Sequence, residues 1–340
     1  MKIGGTTRFF ITVVITLVVV IIGIILIKGI ELKEYSRDYE YMDTYINVKL
    51  YAKNERKANK AFDEVDKIFS TYHKLTNRYE DSEYGLYRLN KEGDAIIDYR
   101  LYQIIEYGYL WYNKSHGLLN IAIGNLTDVW KKYRDQGSGI PTKEELENAY
   151  INFDELDIIQ TRSEIYDKKL EGSVTLSEGI TLDLGSIAKG YVTDLVGEYL
   201  ESVGIKSYII NAGGNVLVGK AYKKDYYTIG IESPLEEQIY KVLKGENVAV
   251  VTSGGYRRNY TYEGKTYNHI IDPNTKYPAD NVLSVTVITD ESKEADALAT
   301  TLFLMSYEEG SEFIKDYNAE AIWYLKDGTI KTTDYISEYE

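Results

Sequence analysis

An unbroken run of nineteen uncharged residues, FFITVVITLVVVIIGIILI from Phe9 to Ile27, restricts what this chain can fold into more than any other feature. As a helix it spans roughly 28 Å, close to the hydrocarbon thickness of a bilayer. Lys2 and Arg8 precede it, and Lys28 and Lys33 alternate with Glu31 and Glu34 after it, a modest positive-inside bias. No small-x-small cleavage pattern closes the run, which predicts an uncleaved signal anchor. The expected organisation is a single-pass cell-membrane anchor over 1–28, a juxtamembrane linker over 29–41 and a folded domain over 42–335 outside the cytoplasm.

The roughly 300 residues after the run are enough for one large domain. Their core needs no staple: the chain is 44% hydrophobic and 27% charged, and it has no Cys, which excludes disulfides and thiol catalysis. A net charge of -14 argues against nucleic acid as a partner, because little is available to displace counterions from phosphates. An anionic ligand would need local cations or main-chain amides. The 34 Tyr fit a composition biased toward Tyr, Ile, Lys, Glu and Asn better than a carbohydrate-binding surface.

Hydrophobic periodicity outlines the elements. Tyr45 to Tyr51 alternates as a strand, and Ala61, Val65, Ile68 and Phe69 fall on one helical face. Tyr102 to Trp111 reads as a second helix, and Pro141 to Glu145 as the start of a short one. Ser207 to Ile210 runs as a strand into the glycine turn Asn211–Asn215, Val282 to Thr289 reads as a strand, and Glu294 to Met305 as a helix. Without a regular βαβ repeat, this mixture predicts an α+β fold.

Four segments could carry chemistry. DLGSIAKGY from Asp183 precedes a predicted helix through Val196 and Leu200, where small residues and free amides admit an anion and Lys189 adds charge. An ordinary strand-to-helix turn explains it equally well. The paired glycines between Asn211 and Asn215 permit close approach of the main chain, or simply a tight turn. His269, one of three histidines, stands near Asp272 and suits a general base, although most histidines only satisfy their surroundings. Asp296 and Thr300, four apart, present oxygens on one helical face that suit Mg²⁺, or an acidic first turn complementing the helix dipole.

Taken together and in order, DLGSIAKGYVTD (Asp183–Asp194), IINAGGNVLVGK (Ile209–Lys220), VTSGGYRRNY…HIIDPNTKYP (Val251–Pro278) and SVTVITDESKEADALATTLF (Ser284–Phe303) resemble the FAD:protein FMN transferase family, also called ApbE. The likeness runs from about Met42 to about Leu325. It implies an ApbE-like catalytic domain that takes FAD as substrate and attaches FMN through a phosphoester to a threonine of an exported or membrane-bound redox protein, with AMP released. It further implies Mg²⁺ held by the side chains of Asp296 and Thr300 with a main-chain oxygen of Ser186. By the same likeness, Met42, Arg78, Tyr79, Asn120, Asp183, Lys189 and Ile271 contact the flavin nucleotide, and His269 lies near the reacting phosphate. Hydrolysis of FAD to FMN and AMP, or flavin carriage without catalysis, are the competing expectations.

The chain also departs from the family pattern. Met-Asp-Thr at 42–44 replaces Met-Gly-Thr, and Thr76–Asn77–Arg78 moves the aromatic of Ser-Thr-Tyr to Tyr79. Asn120 and Asn215 stand where Asp is usual, and Lys276 where Gly commonly follows Thr.

Overall fold

The computed structural model describes residues 10–11, 13–18, 31–152, 165–166, 169–236 and 238–340. Two long strands begin the domain, β1 (Lys33–Tyr41) and β2 (Thr44–Ala52), joined by the two-residue turn Met42–Asp43. Both turn residues have positive φ, 54° and 55°, the geometry that matches the twist of a two-residue hairpin. Asp tolerates this conformation better than most residues other than glycine, which accounts for its replacing Gly there. The segment read as a linker over 29–41 is therefore largely strand β1, paired along its length with β2.

Helix α1 (Glu55–Thr76) follows, started by Asn54, whose Oδ1 accepts the Lys57 amide at 2.9 Å. Its buried stripe, Ala58, Ala61, Phe62, Val65, Phe69, Tyr72 and Leu75, keeps the i, i+3, i+4 spacing of one helical face. Next come α2 (Leu86–Glu92), β3 (Asp94–Asp98), α3 (Tyr99–Lys114), α4 (Gly124–Gln136) and α5 (Lys143–Asn148). Strands β4 (Ile165–Tyr166) and β5 (Lys169–Thr175) join β3 in a small sheet, and α6 (Ala188–Ser202) leads into β6 (Tyr208–Ala212) and β7 (Asn215–Val218). The chain then forms β8 (Tyr227–Glu232), β9 (Ile239–Gly245), β10 (Val248–Gly254), β11 (Asn259–Tyr262), β12 (Lys265–Asn268) and β13 (Ser284–Thr289). It closes with α7 (Ser292–Leu304), α8 (Tyr307–Phe313), β14 (Glu320–Tyr324) and β15 (Ile330–Thr332).

Eight strands make one antiparallel sheet in the order β1-β2-β6-β7-β10-β13-β14-β15. Its central strands are buried on both faces, so their residues divide by parity. Leu217, Val251, Val287 and Ala321 enter the large core beneath α1, α6 and α7. Their neighbours Val218, Val250, Ile288 and Ile322 enter a second core with Tyr227, Ile229, Ile231 and Leu243 of the β8–β9 hairpin. A third cluster joins Leu126, Trp130 and Leu146 of α4 and α5 to Tyr260 and Tyr267 of the β11–β12 hairpin.

A mixed α/β domain is thus what the described residues form, but the expected anchor requires correction. Among the described residues no helix is long and apolar enough to cross a membrane. Of the run over 9–27, residues 10–11 and 13–18 are helical, and the remainder of 1–28 lies outside the described residues. The membrane-anchored location and the membrane as a partner fall with that finding.

Candidate functional site at one end of the sheet

Two turns and the end of a central strand meet at one end of the sheet. The β6–β7 turn places Gly213 at φ +64°, where a Cβ would lie 1.9 Å from Thr44 Oγ1, so only glycine fits beside the β1–β2 turn. The Met42 amide donates to His73 Nδ1 at 3.0 Å, and Arg258 Nη2 donates to the Asp43 carbonyl at 2.7 Å. These bonds tie the hairpin turn to α1 on one side and to the β10–β11 connection on the other.

Between these walls opens a cavity of about 910 Å³. All eleven residues singled out from the sequence line it: Met42, Arg78, Tyr79, Asn120, Asp183, Ser186, Lys189, His269, Ile271, Asp296 and Thr300. They come from six separate stretches of chain.

Asp183 sits at the hub of one wall. Its Oδ1 accepts the Gly185 amide at 2.9 Å, and its Oδ2 accepts the Thr127 hydroxyl at 2.9 Å and Arg78 Nη1 at 3.5 Å. The Arg78 side chain, only 5% exposed, also donates to both carboxylate oxygens of Asp128, at 2.9 and 2.8 Å. Its guanidinium lies 5.0 Å from the centre of the Tyr79 ring, and that residue is 53% exposed beside the cavity. A flat, open ring braced from behind by a cation is a surface on which a planar heterocycle can stack. Asn120 is differently engaged: its Oδ1 accepts the Ala122 amide at 2.8 Å, and its Nδ2 donates to the Ile151 carbonyl at 3.0 Å. The amide that replaces the usual carboxylate here shapes the loop.

At the floor, α6 and α7 approach closely. The Gly190 amide donates to Asp296 Oδ2 at 2.8 Å, and a Cβ on Gly190 would meet the Ser292 carbonyl at 2.4 Å. A second carboxylate on α6, Asp194, accepts the Ser292 and Lys293 amides at 2.7 and 2.9 Å, capping the start of α7. Burial pushes its acid up to about 6 in spite of those bonds. Thr300 Oγ1 lies 3.3 Å from Ser253 Oγ within hydrogen-bonding reach.

The expected Mg²⁺ is corrected at this floor. Among the described residues no group of three or more His, Cys, Asp or Glu side chains could hold a metal ion. Ser186, Asp296 and Thr300 do line one cavity, but the set offers a single carboxylate, already engaged by the Gly190 amide.

His269 stands on the wall formed after β12. Its Nδ1 is sealed from solvent and has no hydrogen-bond partner among the described residues. Burial, then the charges of Arg258, Lys189 and Arg134, hold the imidazole down at about 4, so it is neutral near pH 7. The following turn is braced by side chains: Asn268 accepts the Ile270 amide at 2.8 Å and donates to the Ala279 carbonyl at 2.7 Å. Ile271, 5% exposed, joins the third apolar cluster.

Three further residues of the cavity went unassigned in the sequence. Arg258 lies inside the VTSGGYRRNY motif with no role predicted for it, Arg134 lies in no motif, and His73 is one of three histidines. The single signal within reach was the charge of the two arginines in an acidic chain.

Comparison with known proteins points to one family. The model of the ApbE family matches residues 42–323. The FAD:protein FMN transferase of Vibrio cholerae is 30% identical over 293 residues, covering 83% of this chain and 80% of its own. That of Treponema pallidum is 26% identical over 327 residues, covering 88% and 87%. The crystal structure of the ApbE protein of Thermotoga maritima superimposes with a TM-score of 0.79 at 23% identity, covering 91% of this chain and 99% of its own, a likeness of fold.

Proposed function

The chain belongs to the ApbE family, and we propose how its cavity carries out the reaction that goes with that membership. The protein is an enzyme that transfers FMN from FAD to a protein acceptor. In our reading FAD occupies the cavity at the sheet end, with its isoalloxazine against Met42 and the open Tyr79 ring. The Asp183 loop and the start of α6, with Lys189, receive the nucleotide chain. A volume of about 910 Å³ is at the upper end of what small-ligand sites provide, which suits a dinucleotide.

The acceptor's nucleophile is a threonine hydroxyl. Its oxygen attacks the FMN phosphorus, the new O–P bond forms as the bond to the bridging oxygen breaks, and AMP leaves with that oxygen. His269 takes the hydroxyl proton. An imidazole that is neutral before the reaction is able to do so, and proton removal matters because a hydroxyl is a weak nucleophile. Phosphoryl chemistry otherwise depends mainly on positioning and charge stabilisation.

The observation that carries this reading is the convergence of eleven residues from six stretches of chain on one cavity. The test incubates the protein with FAD and an acceptor domain holding a candidate threonine, and reads the acceptor's intact mass. A gain of one FMN residue, lost in His269→Ala, is the expected result. An unchanged acceptor with AMP and free FMN accumulating would establish hydrolysis instead.

A further inference from the structure

Six cationic side chains line the cavity: Arg78, Lys131, Arg134, Lys189, Arg257 and Arg258. Three of them are matched by carboxylates. Arg78 pairs with Asp128 and Asp183, Lys131 with Asp135, and Arg257 with Glu232. Arg134, Lys189 and Arg258 have no carboxylate partner among the described residues. The cavity is also lined by Asp43, Glu80, Asp183, Glu232 and Asp296, so what marks Arg134, Lys189 and Arg258 is the lack of a carboxylate of their own among the described residues, and not a net positive charge of the concavity. A cation that faces a cavity without a carboxylate is a contact for an anion.

The three unmatched cations also share a neighbour. All three line the same cavity as His269, the group placed to take the proton, and their charges help to depress its imidazole. Two are held by main-chain carbonyls, which orient them without neutralising them: Arg258 by Asp43 at 2.7 Å and Lys189 by Gly185 at 3.3 Å. With one N–H of Arg258 engaged, its fork keeps further donors for a planar or tetrahedral oxyanion.

We propose that Arg134 and Arg258 are phosphate-binding residues which, with Lys189, form a three-cation pocket for the pyrophosphate of FAD. The pocket neutralises the dianion in the ground state and stabilises charge on the departing AMP phosphate as the P–O bond breaks. It also supplies a reason for the hairpin turn to be tied across the cavity: the Asp43 carbonyl aims Arg258. This inference rests on the reading of the cavity as the FAD site.

The experiment measures FAD binding by flavin fluorescence, and its displacement by inorganic pyrophosphate, for the full chain and for Arg134→Gln and Arg258→Gln. Each variant is expected to weaken both FAD and pyrophosphate about tenfold or more, the effect of removing one charge-assisted contact. Arg134→Gln breaks no side-chain hydrogen bond among the described residues, so it keeps the test valid if Arg258→Gln disturbs the turn. FAD affinity unchanged in Arg134→Gln, FAD weakened with pyrophosphate displacement unaltered, or a wild-type chain that binds FAD but resists displacement would each overturn the proposal. A wild-type chain that fails to bind FAD would overturn the underlying reading of the site instead.

Discussion

The main-chain amide of Gly190 donates to Asp296 Oδ2 at 2.8 Å, joining the first turn of α6 to α7 across a gap that admits no side chain. This bond joins the segment that carries Lys189 to the helix that carries Thr300. Gly190→Ala would bring its Cβ to 2.4 Å from the Ser292 carbonyl and 2.6 Å from Asp296 Cβ. Because two of the nearest atoms belong to backbone, the helices must separate. The expected cost is about 1–3 kcal/mol of stability, read from a denaturant midpoint, together with loss of transfer activity.

Acid should act on the fold through His269 and Asp194 in opposite directions. His269 has a folded value of about 4 against an ordinary 6.5, so its contribution is complete above 6.5 and is lost as pH falls toward 4. Asp194 has a folded value of about 6 against an ordinary 3.8, so its contribution is complete below 3.8 and is lost as pH rises through 6. Between pH 4 and 6 the two slopes oppose. His269→Asn should therefore flatten the acid loss of stability, and Asp194→Asn should steepen it. Denaturant midpoints taken across this window check both signs.

Bound FAD should move His269 upward. The cations that help to depress it would then face phosphate oxygens, and their effect on the imidazole would diminish. Titration of the imidazole C–H resonances with and without FAD measures the change, and an unaltered or lower value with FAD bound would contradict the arrangement.

Arg78 is the buried partner of two carboxylates, and Arg78→Met would leave the Asp183 carboxylate with only the Thr127 hydroxyl and the Gly185 amide. We expect a loss of about 2 kcal/mol, below the usual cost for a fully buried pair because Asp128 is 45% exposed. FAD affinity should fall as well. Calorimetric unfolding and flavin titration separate the two effects.

Lys276 occupies a left-handed conformation, φ +60°, where relatives of this kind commonly place Gly. Its Nζ donates to the Leu146 and Ala149 carbonyls at 2.8 and 3.1 Å at the end of α5, and its own carbonyl accepts Trp130 Nε1 at 2.9 Å. Lys276→Ala keeps the strained backbone and loses the ammonium contacts, a cost of about 1–2 kcal/mol. Lys276→Gly loses the same contacts but relieves the strain, so it should be the milder change in thermal unfolding.

What the sequence by itself determined is what short-range patterns can encode. The alternation of Ile46, Val48 and Leu50 and the helical face of Ala61, Val65, Ile68 and Phe69 follow from periods of two and 3.6 residues, and a strand and a helix appear where they predict them. The ordered motifs identified the family for the same reason, since they are contiguous runs of residues. Tertiary structure decided the rest. Lys33–Tyr41 reads as a charged linker because an edge strand hides little, and only pairing with β2 makes it a strand. Asp296 reads as a metal ligand in the sequence, but the fold gathers no group of three His, Cys, Asp or Glu side chains for a metal among the described residues, and it brings the Gly190 amide to Asp296 from 106 residues away. Arg78 and Arg258 look alike in the sequence; one is neutralised by Asp128 and Asp183, and the other faces the cavity without a carboxylate among the described residues. Charge compensation depends on which side chains the fold brings within a few ångströms, and no local pattern records that.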